Sequence, residues 1–138
     1  MLGHRGYITG RPFMGQRAPQ HIQNIIIRDY CHKNGLHYLL SVTEHVMPDS
    51  YIILNQVINE LENLEGVVIY SIFQLPEQDE LRHAVYEKVL KQKRSLHSAV
   101  ERLVIKAAED VERVEDIWCV QKIIQNHLLN LEELQCKN

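Results

Sequence analysis

The chain has 138 residues, 45% apolar and 24% charged, with a net charge of −3, an ordinary globular composition sized for a single domain, 1–138, with a real core. No apolar run approaches the roughly 20 residues of a membrane span, and no apolar h-region follows the first basic residues, so neither a membrane segment nor a secretory signal is expected. Cys31, Cys119 and Cys136 are odd in number and widely spaced, which argues against a disulfide framework or a zinc ribbon and for a cytoplasmic setting.

Strand-like and helix-like periods alternate along the chain. His4 to Thr9 has a strand pattern and runs into a loop holding Gly10, Arg11, Pro12, Gly15, Arg17 and Pro19. Helix Gln20 to Lys33 follows, with Ile22, Ile25 and Ile26 inward and Tyr30 as a fourth; Asn34-Gly35 stops it. Leu36 to Thr43 is a second strand. Met47-Pro48-Asp49-Ser50 makes a turn with Asp49 or Ser50 as N-cap of a helix whose stripe is Leu54, Val57, Ile58 and Leu61. Val67-Val68-Ile69-Tyr70, apolar throughout, is expected to be buried on both faces of a parallel sheet. Pro76 precedes a helix from Glu77 to about Lys93 with Leu81, Val85 and Val89 inward. Leu96 to Glu101, extended through Leu103 to Lys106, forms the next strand or a strand pair, and a last helix runs from about Ala108 to Gln135. This order implies right-handed crossovers and a three-layer α/β/α sandwich around a mainly parallel sheet of four or five strands.

Ligands of parallel α/β folds bind at the carboxyl edge of the sheet. That rule selects Arg11, Gly15 and Arg17 after the first strand, Ser41, Thr43 and Glu44 after the second, and Ser71 and Gln74 after the third. Arg11 and Arg17 supply forked donors suited to phosphate or carboxylate. Gln20 and Gln23 add neutral donors, and the leading amides of the first helix favour an anion. Glu44 is the candidate general base, although a neighbouring arginine would weaken it near neutral pH, and a structural ion pair fits it equally well. Ser41 and Ser71 complete the candidate catalytic set. The eight histidines contain no ligand motif, so no metal and no cofactor are expected. Cys31 suits a small buried hydrophobe.

Residues 1–33 carry a balance of +4, and the remainder −7. Duplex nucleic acid wants an extended basic face, whereas this arrangement suits one localised anion.

Across nearly the whole chain, RGYITGRPFMGQRAPQHIQNIIIRDYC, NGLHYLLSVTE, GVVIYSIFQLP and ERVEDIW resemble the uncharacterised sporadic carbohydrate cluster family, encoded among genes for bacterial surface sugars. The resemblance implies a surface-sugar pathway and leaves the reaction open; joined to the anion site read from Arg11 and Arg17, it gives a phosphorylated or nucleotide-activated sugar as the expected partner. The architecture also resembles the serine recombinase (resolvase) catalytic domain. There the first strand ends in Arg-x-Ser and the third in Asp-Arg-Leu-x-Arg, whereas this chain has Tyr7-Ile8-Thr9-Gly10-Arg11 and Ile72-Phe73-Gln74-Leu75-Pro76-Glu77-Gln78. Recombinase chemistry on DNA is therefore not expected. Two functions remain: an enzyme modifying an activated sugar, or a non-catalytic binding or scaffold subunit on a resolvase-like frame. The last helix, with Trp118 and the stripe Leu128 to Leu134, is expected to pack against a second copy, unless a break near Asn126 or Asn130 folds its tail back.

Overall fold

The computed structural model describes residues 2–44 and 50–136, with side chains to residue 132. Five strands, β1 (His4–Thr9), β2 (Tyr38–Glu44), β3 (Gly66–Ile69), β4 (Ser95–Ser98) and β5 (Leu103–Ile105), form one sheet in the order β2-β1-β3-β4-β5. The first four are parallel; β5 turns back antiparallel on β4, so the expected strand pair is present. Between them run α1 (Gln20–Lys33), α2 (Ile52–Asn59), α3 (Asp79–Lys91) and, after β5, α4 (Ala108–Cys136). No helix among the described residues is long and apolar enough to cross a membrane.

β3 is central and buried at all four residues. Val68 faces the layer formed by α1, with Ile8, Ile27 and Cys31, while Val67 and Ile69 face the larger core under α2, α3 and α4. Continuous apolarity in this strand thus serves two cores at once. The α2 stripe Leu54, Val57 and Ile58 is buried, and Leu61 extends it one turn further as a 3-10 segment.

Two helices are rotated from the expected phase. In α1 the buried residues are Gln23, Ile27, Tyr30 and Cys31, whereas Ile25 is 58% exposed and Ile22 also faces outward. Three consecutive isoleucines satisfy either phase, and hydrogen bonds that seat Gln23 select the observed one. In α3, Leu81 is exposed and Arg82 buried beside Val85, Tyr86 and Val89. Arg82 donates to both carboxylate oxygens of Glu115 on α4 at 2.8 Å and to Asp79 at 2.7 Å, and it lies 4.4 Å from the centre of the Trp118 ring. Phe73 meets the same indole edge-on at 5.1 Å. Trp118 is therefore covered within its own chain and needs no second copy.

β2 carries a bulge that the residue pattern does not announce. Arg5 pairs with Leu39 but Tyr7 with Val42, so β2 spends one extra residue there. Gly6 makes room for it: a Cβ at Gly6 would lie 2.2 Å from the Ser41 hydroxyl. The bulge sends Ser41 toward α1 and leaves Val42 and Glu44 facing α2.

Candidate functional site

The loop after β1 is a built structure. Phe13 and Gln16 exchange both backbone hydrogen bonds, at 2.8 and 2.9 Å, across a tight turn. Met14 and Gly15 adopt φ of 50° and 75°, a left-handed pair in which Gly15 is at ease and Met14 is held by the turn. Arg17 then donates from Nε to the Gly10 carbonyl at 3.2 Å. Its side chain is exposed, and its η nitrogens have no protein acceptor among the described residues. Gly10, Arg17, Ala18, Pro19 and Gln20 line a cavity of about 320 Å3 at the start of α1. Arg17 and Gln20, the first residue of α1, thus meet around one hollow, and Gly15 shapes the turn that precedes Arg17.

The remaining candidates lie at or behind this edge, where internal bonds occupy them. Arg11 is buried; its guanidinium donates to the Ser50 carbonyl and, at 3.1 Å, to the Gln74 carbonyl, and stacks 4.2 Å over the Tyr51 ring. It ties together the segments after β1, β2 and β3 and does not join Arg17 at the surface.

Glu44 is fully buried and works as a helix cap. One carboxylate oxygen accepts from the Ile53 amide at 3.2 Å and the Ser50 hydroxyl at 3.3 Å; the other accepts from the Leu54 amide and the Tyr7 hydroxyl, both at 3.0 Å. A carboxylate at the start of α2 satisfies amides that lack intrahelical partners and complements the helix dipole. Ser50 does not cap α2 itself, since Tyr51 occupies the cap position; Asp49 lies outside the described residues. Burial pushes the Tyr7 phenol up, well above its ordinary range, so it stays a neutral donor to Glu44.

Gln74 is equally committed. Its side-chain oxygen accepts from the Tyr70 and Ser71 amides, and its nitrogen donates 2.8 Å to Gln23. Gln23 in turn exchanges hydrogen bonds with the Thr9 backbone and donates to the Ala18 carbonyl. This pair of amides staples β1 to β3 beneath the surface, so Gln23 does not add to the anion rim. Ser71 accepts from the Phe73 amide as the cap of a short 3-10 turn. Ser41 bonds Tyr38 and Asn24 at 2.8 and 2.7 Å on the α1 side, away from Glu44. Ser41, Glu44 and Ser71 consequently do not converge on one crevice.

Residue pattern alone did not single out Glu101, which follows β4 and accepts from the Ile72 amide at 2.6 Å and the Ser98 hydroxyl at 2.5 Å. Its one available signal was an acid at the carboxyl end of the expected strand Leu96 to Glu101, close to the signal that selected Glu44. Cys31 is buried as expected, and burial raises its thiol to about 11. No group of histidine, cysteine and carboxylate side chains capable of holding a metal occurs among the described residues. A larger cleft of about 810 Å3 separates α2 from α3, lined by Ile52, Asn55, Asn59, Leu81 and Lys88 among others. It is lined by none of the candidate site residues.

No family model and no curated protein sequence matches this chain. Solved structures do. The N-terminal catalytic domain of TP901-1 integrase is similar with a TM-score of 0.54 at 15% identity, over 93% of this chain and 98% of that one. A resolvase family site-specific recombinase from Streptococcus pneumoniae is similar with a TM-score of 0.63 at 7% identity, over 98% and 99%.

Proposed function

We propose that this chain, whose fold is resolvase-like, is a binding subunit for a phosphorylated or nucleotide-activated sugar in bacterial surface-carbohydrate biosynthesis. The observation that carries the binding part is the contrast among candidates. Four donors occupy Glu44 and internal bonds hold Gln74, while Arg17 keeps free donors at the rim of a hollow that opens the first helix. A carboxylate held this way has no open position from which to take a proton, whereas an exposed arginine at the start of a helix is suited to an anion. The sugar part rests on the sequence resemblance to the carbohydrate cluster family. Fold similarity to recombinases does not bring their function with it, and the first strand ends in Thr9-Gly10-Arg11 without their serine.

Calorimetric titration with inorganic phosphate, glucose 1-phosphate and UDP-glucose tests this reading. Saturable binding of a phosphorylated ligand, reduced about tenfold or more in Arg17→Ala, as for a lost charge-assisted hydrogen bond of about 1.5–3 kcal/mol, is expected. Absence of binding in the parent, or equal binding in the variant, would refute it.

A further inference from the structure

A second hollow, of about 220 Å3, lies at the carboxyl ends of β3 and β4, between the turn after β1 and the flank of α4. Its walls combine three aromatic rings (Phe13, Tyr70 and Phe73) with one carboxylate, Glu101, and two amides, Gln16 and Gln121. We propose that this hollow takes the ring of a neutral monosaccharide, either free or as the uncharged part of an activated sugar. The idea rests on the sugar-binding reading above and adds where the ring sits.

Three observations carry it. First, the polar groups are available. Glu101 uses one oxygen for the Ile72 amide and the Ser98 hydroxyl, and no partner among the described residues takes the other. The Tyr70 hydroxyl and the side-chain amides of Gln16 and Gln121 are also without partners there. An acceptor-only carboxylate beside amides that both donate and accept matches ligand hydroxyls, which do both. Second, Glu101 is the one charged side chain lining the hollow, so a phosphate is repelled here and an uncharged group preferred. The 220 Å3 corresponds to about seven waters at roughly 30 Å3 each, enough for a single pyranose ring. Third, the aromatic wall is fixed in place. The turn that holds Met14 at positive φ presents Phe13 edge-on to Tyr70 at 6.0 Å, and Phe73 is braced on Trp118. Rings set by packing and by a constrained turn offer an apolar face to the C–H face of a sugar at low entropic cost.

Amide-resolved NMR titration tests the assignment, with glucose, galactose, mannose and N-acetylglucosamine as probes. The side-chain amides of Gln16 and Gln121 and the indole of Trp118 report on the site. At least one sugar is expected to shift these signals saturably. Gln121→Ala and Tyr70→Phe, which remove groups without an internal partner, are expected to weaken that sugar about fivefold or more, as for loss of one hydrogen bond. No shift with any probe, shifts mapping elsewhere, or displacement of the sugar by tetramethylammonium would overturn the proposal. Phosphate titration of the same sample separates the two readings. Phosphate binding without hexose binding removes only this assignment, whereas hexose binding without phosphate binding upholds it and removes the anion site.

Discussion

Replacing Glu44 by alanine distinguishes a helix cap from a catalytic base, because the two roles predict opposite effects on stability. The carboxylate is fully buried and accepts from two α2 amides and the hydroxyls of Tyr7 and Ser50. Alanine leaves the Leu54 amide and the Tyr7 hydroxyl buried without an acceptor, and each such group costs about 1–3 kcal/mol. Losing the cap of α2 costs on the order of 1 kcal/mol more. Ser50 lies nearer solvent and adds little, so the sum is about 3–7 kcal/mol. At roughly 3–5 °C per kcal/mol for a domain of this size, Tm should fall by about 10–35 °C. Glu44→Gln keeps one acceptor oxygen but turns an amide donor toward donors, so its loss should be intermediate. Urea unfolding of the three proteins, monitored by far-UV circular dichroism, gives the values directly. An alanine variant as stable as the parent, or more stable as when a strained catalytic group is removed, would refute the reasoning.

Other expectations follow from the same packing. His97 is buried, hydrogen-bonded on both ring nitrogens by Tyr30 and Ser95, and burial lowers it to about 4, with His4 and Lys106 nearby acting in the same direction. The unfolded chain then binds more protons than the folded one between about pH 6.5 and 4, so this contribution is complete above pH 6.5 and declines as pH falls through that window. Going from pH 7.5 to 5 should cost about 2 kcal/mol, and His97→Gln should flatten the difference; an unchanged slope in the variant argues against it. Glu115→Ala strips buried Arg82 of its bidentate partner and should cost about 3 kcal/mol by chemical denaturation, whereas a loss under 1 kcal/mol would show that the α3–α4 clamp is dispensable. α4 runs unbroken for 29 residues, roughly 43 Å at 1.5 Å each. It leaves Val120, Ile123, Ile124, Leu128 and Leu131 exposed, so light scattering should find a homo-oligomer that Leu128→Glu with Leu131→Glu converts to monomer at unchanged stability; a monomeric parent contradicts this. Incubation with recombination-site DNA should give no 5′-phosphoserine adduct, and any such adduct would overturn the exclusion of recombinase chemistry.

The alternation of strands and helices, the buried central strand and the long last helix were legible because each rests on repeated apolar positions over many residues. Where one polar residue decides the outcome, periodicity is silent. Gln23 and Arg82 occupy core positions only because several acceptors and donors surround them, and the deciding partners, Thr9 and Gln74 for the first and Glu115 for the second, come from distant segments. The same limit applies to the site. Placement after a strand correctly brought Glu44 and Gln74 to the carboxyl edge, yet facing inward or outward depends on the β2 bulge and on the amides of α2 and of the Ser71 turn. Arg11 and Arg17 sit six residues apart in one loop and look equivalent as sequence. Only tertiary contacts place the first beneath the surface, against Tyr51, and leave the second outside.

The central claim is that the chain binds a phosphorylated sugar at Arg17 and does not transform it. Phosphorus NMR of glucose 1-phosphate and of UDP-glucose with stoichiometric protein tests both halves in one spectrum. The account predicts a reversible, saturable shift or broadening of a ligand resonance, lost in Arg17→Ala, with no new phosphorus signal after prolonged incubation. Unperturbed resonances in the parent, or the growth of a product signal, would contradict it.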